Sequence, residues 1–154
     1  VGAGSPEDYG DYFAWGEITT KSYYAKINYT YSGHYFSDDY DAANANWGGS
    51  WRMPTDNELW ELINECYWTW TTQNGVKGYK VESKTNDNSI FLPAAGYRSN
   101  SDLNNAGSDG YYWSTEYDKY DSRFVEGLEF ESSDVYVVGQ NPAYGLSVRP
   151  VMSK

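Results

Sequence analysis

Beyond Cys66 the chain carries no helical periodicity, and this confines more than half of its 154 residues to short strands and loops. Apolar residues there alternate with polar ones, and clusters of Asn, Asp, Gly and Pro interrupt each run. Residues 67–72 read as a strand, Gln73-Asn74-Gly75 as a hairpin turn, and residues 78–83 as the return strand with Tyr79 and Val81 inward. Thr85-Asn86-Asp87-Asn88 turns the chain into Ile90-Phe91-Leu92-Pro93, and the small, polar run 98–110 is expected to be a loop. Residues 111–115, 123–131, 135–138 and 146–151 complete the set of strands.

Helical signals come only before that point. Thr55-Asp56-Asn57-Glu58 is a capping box, in which hydroxyl and carboxylate each satisfy an orphan backbone amide. Leu59, Leu62, Ile63 and Cys66 follow at i, i+3, i+4 and i+7 as one apolar stripe, with Cys66 closing it as a small hydrophobe. A shorter helix is expected over 40–46, capped by Asp38 or Asp39 and stopped at Trp47-Gly48-Gly49. Ahead of it, Ser5-Pro6-Glu7-Asp8 turns, Tyr12, Phe13 and Trp15 form a first apolar cluster, and 21–35 is a polar, Tyr-rich loop. Two early helices against later antiparallel strands make an α+β domain, taken as one unit over residues 1–154.

Composition narrows the function classes. Aromatic residues make up 19% of the chain, with 17 Tyr and 7 Trp, which a disordered segment lacks. Tyrosine supplies flat contact area at small entropic cost, although most of these rings are expected to be structural. A formal net charge of -11 repels phosphate backbones and argues against nucleic acid as a partner. No apolar run is long enough for direct membrane insertion. The single cysteine allows no internal disulfide. The start at Val1 rather than Met leads us to expect a processed chain or a fragment from which any export signal has gone. Zinc needs three or four ligands and the chain has one Cys and one His, so no metal site is expected. His34 lies in the polar string Ser32-Gly33-His34-Tyr35 and is read as a surface residue; no nucleophile elbow accompanies it for a triad.

Several strings are more specific than composition. They are Tyr9-Gly10-Asp11-Tyr12-Phe13-Ala14-Trp15-Gly16-Glu17, Ala42-Ala43-Asn44-Ala45-Asn46-Trp47-Gly48-Gly49-Ser50-Trp51-Arg52-Met53-Pro54-Thr55 and Phe91-Leu92-Pro93-Ala94-Ala95-Gly96-Tyr97-Arg98. Gly110-Tyr111-Tyr112-Trp113-Ser114 and Gly145-Leu146-Ser147-Val148-Arg149-Pro150-Val151 complete the pattern. In this order they resemble the Fibrobacter succinogenes major paralogous domain, abundant in exported proteins of gut Bacteroidetes. The resemblance implies a C-type-lectin-like fold of the formylglycine-generating-enzyme type, shared with variable proteins of diversity-generating retroelements. It further implies a rigid scaffold displaying varied residues on one face near the C-terminus. Members usually begin with a short strand, often with a cysteine, ahead of the Val1-Gly2-Ala3 position; that strand is expected to be missing from this sequence. Formylglycine-generating enzymes use paired cysteines with copper, which one Cys66 cannot reproduce, so the expectation is a non-catalytic domain without cofactor. Sugar-binding C-type lectins hold calcium through Glu-Pro-Asn or Gln-Pro-Asp followed by Trp-Asn-Asp, and neither occurs here. Asp118 and Asp121 in one loop are read as solvated carboxylates in preference to a weak calcium site.

Within the motifs, Trp47, Trp51 and Trp113 are expected as core anchors, Arg52 and Arg149 as paired cations, and Gly48, Gly49, Gly96 and Gly145 as backbone necessities. The remaining C-terminal positions form the candidate ligand-binding face. Period two sets Leu128 and Phe130 against Glu129 and Glu131, and Val135 and Val137 against Tyr136 and Val138. The outward set is Glu129, Glu131, Tyr136 and Val138. Neighbouring loops add Glu116, Tyr117, Asp118, Tyr120, Asp121, Arg123, Phe124, Gln140, Asn141, Pro142, Ala143 and Tyr144. Mixed Tyr, acid and amide is paratope chemistry. Adenine-directed mutagenesis of Asn codons can produce Tyr120, Arg123, Phe124, Tyr136, Val138, Pro142, Ala143 and Tyr144 but not Lys119, Glu126, Glu129, Glu131 or Gln140, which leaves retroelement diversification open. The expected function is therefore extracellular or cell-surface recognition, a phage virion tip included, with a protein or glycan ligand. The alternative is a structural module of an exported multidomain surface protein, its C-terminal face packed on a neighbouring domain.

Overall fold

The computed structural model describes residues 1–33 and 36–153, and His34 lies outside them. Helix α1 spans Ala42–Trp47. Its N-cap is Asp41 rather than Asp38 or Asp39, which lie in a preceding 3-10 turn. Asp41 Oδ1 accepts the amides of Ala43 (2.8 Å) and Asn44 (3.0 Å), while Oδ2 accepts that of Met53 (2.9 Å). The bond to Met53 decides the choice of cap, because only this buried carboxylate ties the helix to the segment that leads into the next one.

Helix α2, Asp56–Asn64, has the capping box its sequence specifies. Glu58 donates its amide to Thr55 Oγ1 (3.2 Å), and Glu58 Oε1 accepts the Thr55 amide (2.9 Å). Both Glu58 oxygens also take the Arg52 guanidinium, at 2.6 and 2.9 Å. Leu59 is buried, and Leu62, Ile63 and Cys66 pack half-buried beside it. Cys66, however, does not close the helix. The chain leaves α2 at Glu65, and Cys66 opens a strand opposite Ser83.

Strand β1 (Tyr12–Phe13) precedes α1, and β2 (Trp51–Arg52) precedes α2. Next come β3 (Cys66–Gln73), β4 (Val76–Ser83) and β5 (Ser89–Pro93), an antiparallel three-stranded sheet. Its first turn is Asn74-Gly75, both at positive φ (48° and 81°), the geometry a two-residue hairpin demands. Tyr79 and Val81 point inward as expected. The polar run expected as a loop holds a small hairpin, β6 (Tyr97–Ser99) with β7 (Asp102–Asn104). Then come β8 (Gly110–Tyr117), β9 (Val125–Glu131), β10 (Asp134–Gln140), β11 (Leu146–Ser147) and β12 (Val151–Met152). The single strand expected over 146–151 is thus two, in different sheets: β11 joins the five-stranded order β1-β11-β8-β9-β10, while β12 pairs with β2. Pro150, which has no amide to donate, falls in the break.

Successive residues of β8 serve opposite cores. Trp113 enters one with Phe13, Trp15, Met53, Val125 and Leu146. Tyr112 enters the other with Leu59, Tyr79, Leu92, Leu128 and Phe130. The chain is therefore α+β, with few helices and many short strands in several sheets. Gly145 is needed at the boundary, since a Cβ there would sit 2.8 Å from the Tyr24 ring. Two scaffold expectations need correcting. Trp47 is 47% exposed, set edge-on to half-buried Trp51, because the cluster around Trp15 is filled by Tyr31 and Phe36 instead. Arg52 is paired as expected, whereas Arg149 makes no hydrogen bond or ion pair among the described residues.

Glu58→Gln keeps the capping geometry and removes the ion pair, and stability at neutral pH is expected to fall by about 1 kcal/mol, solvent screening keeping the loss small. Arg52 holds the Glu58 carboxyl down at about 2 from an ordinary 4.5. A lowered carboxylate pKa stabilises the fold above 4.5 and loses that contribution as pH falls towards 2. Denaturant midpoints of wild type and variant should converge across this window. Midpoints that stay parallel would show that the pair adds no pH-dependent stability.

Candidate functional site

Cross-strand register places Tyr111 of β8, Glu129 of β9 and Tyr136 of β10 in one row. The period of two puts them on the face opposite Tyr112, Leu128 and Val135. Glu129 is the centre of this row. Tyr136 Oη donates to its Oε2 at 2.5 Å, and Gln140 Nε2 donates to its Oε1 at 2.9 Å. Gln140 stands opposite Val125, so to reach Glu129 it crosses Gly127. A Cβ at Gly127 would lie 2.9 Å from the Gln140 Cγ, so only glycine leaves that path clear.

The row continues past Tyr111. Its hydroxyl donates to Asp109 Oδ2 (3.1 Å) and accepts from Asn105 Nδ2 (3.2 Å). The Tyr97 ring meets Tyr111 edge-on at 4.9 Å and stacks on Tyr144 at 5.5 Å. Tyr97, Glu129, Tyr136, Gln140 and Tyr144 are each half-buried, so their positions are set by packing while part of each remains accessible. Acceptance by the Glu129 carboxylate pushes the Tyr136 phenol up to about 12. Burial is the main cause that raises the Tyr111 phenol.

The structure divides the expected ligand-binding residues into three groups. Glu129, Tyr136, Val138, Gln140 and Tyr144 share the face just described, with Glu131 at the end of its hairpin. Tyr117, Pro142 and Ala143 belong to the scaffold. Tyr117 packs edge-on to Trp15 and donates to the Gly33 carbonyl, Pro142 accepts the Trp15 amide, and Ala143 is 3% exposed. Glu116 is exposed at the end of β8.

Asp118, Tyr120, Arg123 and Phe124 form the third group, and they lie on the other side of the sheet. A Cβ on Gly139 would point the way Val135 and Val137 point, and it would meet Asp118 Oδ2 and Phe124 Cβ at 2.9 Å. The loop is ordered by its own bonds. Asp118 Oδ1 accepts the amides of Tyr120 (2.8 Å) and Asp121 (3.2 Å). Arg123 closes on both Asp121 oxygens and holds that carboxyl at about 2. Among the described residues no group of three His, Cys, Asp or Glu converges as a metal site.

Sequence reasoning missed Tyr97, Tyr111, Asn105 and Asp109. A signal was present, since Tyr111 and Trp113 share a strand parity and Tyr111 must then flank Glu129 once β8 and β9 pair. Replacing Glu129 by Gln should return the Tyr136 phenol from about 12 towards 10. A raised phenol pKa stabilises the fold below pH 10, and that contribution disappears as pH rises to 12. Isotope-labelled tyrosine NMR reads the titration directly, and an unmoved Tyr136 would show that Glu129 does not hold it.

No curated protein matches the chain, and no solved structure does. A family model described as Domain of unknown function (DUF8237) matches residues 59–151, from α2 to the start of β12, and so takes in the whole aromatic face. The match covers more than half of the sequence, and the chain belongs to this DUF8237 family.

Proposed function

We propose that the domain is a non-catalytic recognition module of C-type-lectin-like architecture that binds a protein or glycan ligand through the face built on Glu129. The observation that carries this reading is the face of half-buried Tyr97, Tyr136 and Tyr144 beside Glu129, whose carboxylate Tyr136 and Gln140 hold in place. Tyr136 and Gln140 fix Glu129, and Tyr97 and Tyr111 fix Tyr144's neighbourhood, so little side-chain freedom is lost when a ligand arrives. Glu129 has lone pairs left for hydroxyl or amide donors, and the ring faces offer apolar contact. Helices confined to the first 65 residues, and strands near both ends paired through Tyr12 with Ser147, fit the rigid scaffold that the motif strings imply.

In this reading the domain works outside the cell or on a cell or virion surface, with neither nucleic acid nor bilayer as its partner. The net charge of -11 supports the first exclusion. Among the described residues no helix is long and apolar enough to cross a membrane. If the locus is diversified by a retroelement, a nearby adenine-rich template repeat accompanies it.

Glycan and surface-protein arrays test the reading with two variants. Tyr136→Ala/Gln140→Ala/Tyr144→Ala should weaken binding at least tenfold, because aromatic anchors at an interface are each worth on the order of 1–2 kcal/mol. Tyr120→Ala, on the opposite side of the sheet, should leave it unchanged. Loss with Tyr120→Ala alone would move the site to the 118–124 loop. Equal signal from wild type and triple variant would leave the face to a structural contact with a neighbouring domain.

A further inference from the structure

Arg149 belongs to a motif that reads as scaffold, yet it has no hydrogen bond and no ion pair among the described residues. It borders three spaces, one of them beside Trp47 and Trp51, and the other two share Tyr112 in their linings. One is an apolar cavity of about 260 Å³ lined by Leu62, Ile90, Leu92, Leu128, Tyr112 and Arg149. The other is a space of about 40 Å³, again bounded by Tyr112 and Arg149, and also by Ser147. Ser147 is 3% exposed, and its hydroxyl has no partner. An unpaired buried hydroxyl is costly unless an acceptor reaches it, and the half-exposed Arg149 lines the same small space.

The chain's own acids do not supply that acceptor. Glu58 lines the larger cavity but is held by Arg52 and by the Thr55 amide. Asp8 borders the smaller one and takes the Gly4 amide at 2.9 Å. The Tyr112 ring lines both spaces, and its hydroxyl, donated to the Pro93 carbonyl at 2.7 Å, does not compete for an anion. Among the described residues that line these two spaces, Arg149 is the side-chain cation without a carboxylate partner.

We propose that this is a second binding site, independent of the Glu129 face, for a small amphipathic carboxylate. The apolar tail fills the larger cavity between α2 and β5, β8 and β9, and the carboxylate pairs with Arg149 and accepts from the Ser147 hydroxyl. The sizes agree. Dry apolar cavities of about 150 Å³ already take up benzene, so about 260 Å³ holds a chain of roughly six to eight carbons. A space of about 40 Å³ is close to that of one small polar group.

Calorimetry of the whole chain with octanoate, octanol and octylamine tests the site. Octanoate is expected to bind at least tenfold more tightly than octanol, and octylamine least. Because Arg149 makes no bond that folding needs, Arg149→Gln should keep the wild-type melting temperature and remove the preference for octanoate. Leu62→Phe fills the cavity from the half-exposed side of α2 and should abolish binding of octanoate and octanol alike. Methyl NMR should place the octanoate shifts at Leu62, Ile90, Leu92 and Leu128. Absence of binding, equal affinity for octanoate and octanol, or methyl shifts elsewhere would overturn the proposal. Full retention of octanoate by Arg149→Gln would do so too, because it would show that Arg149 does not hold the anion.

Discussion

Two indole N–H groups hold the N-terminal segment and the central strand together from opposite sides of the same contact. Trp15 Nε1 donates to the Ser114 carbonyl at 2.8 Å, and Trp113 Nε1 donates to the Phe13 carbonyl at 2.6 Å. Both rings are essentially buried, and the two bonds span 99 and 100 residues of sequence. Strand β1 has only two residues, too few for its ladder alone to hold it. The indoles supply what the ladder lacks. Each fills core volume and donates to a buried carbonyl, so losing either ring opens a cavity and takes a donor from that carbonyl.

The position of the aromatic face follows from this clamp. With Trp113 and Tyr112 fixed on opposite sides, β8 is buried on both faces, and only the β9–β10 corner of the sheet has an open side. Trp15 also donates its amide to the Pro142 carbonyl at 2.9 Å, which ties the turn after β10 to the same cluster. Tyr144, two residues on, is thereby delivered to Tyr97, and Tyr97 to Tyr111. The face is therefore an extension of the core rather than an appended loop.

What was legible in the sequence is what local chemistry decides. The capping box of α2, the Asn74-Gly75 turn and the alternation along β9 and β10 depend on residues a few positions apart. The readings that failed depend on partners far along the chain. Asp41 outcompetes Asp38 and Asp39 as a cap because Met53, 12 residues on, needs an acceptor. Trp47 stays outside because other aromatics have taken the space around Trp15. The 118–124 loop reads as a neighbour of Tyr136 in sequence, and Gly139, by having no side chain, lets it fold onto the other side. Tyr111 was only half legible for a related reason, since parity gives its face but not its neighbour. Its role depends on cross-strand register, which no single strand encodes.

Order also distinguishes the two places where tyrosine reaches solvent. Tyr120 is 96% exposed in its loop, and a ligand there must immobilise the ring on arrival, a cost of about 0.5–1.5 kcal/mol per side chain. The Tyr136 hydroxyl is already committed to Glu129, so this residue presents ring surface rather than a free donor, while Tyr111, bonded to Asp109, is buried. A ligand meeting this face finds aromatic edges for apolar contact and carboxylate lone pairs for its own hydroxyls or amides. The Tyr136 phenol already holds a protein acceptor, so its donor adds no desolvation cost, the usual penalty when a polar surface binds. That difference, more than the number of tyrosines in the chain, favours the Glu129 face over the loop as the place where recognition occurs.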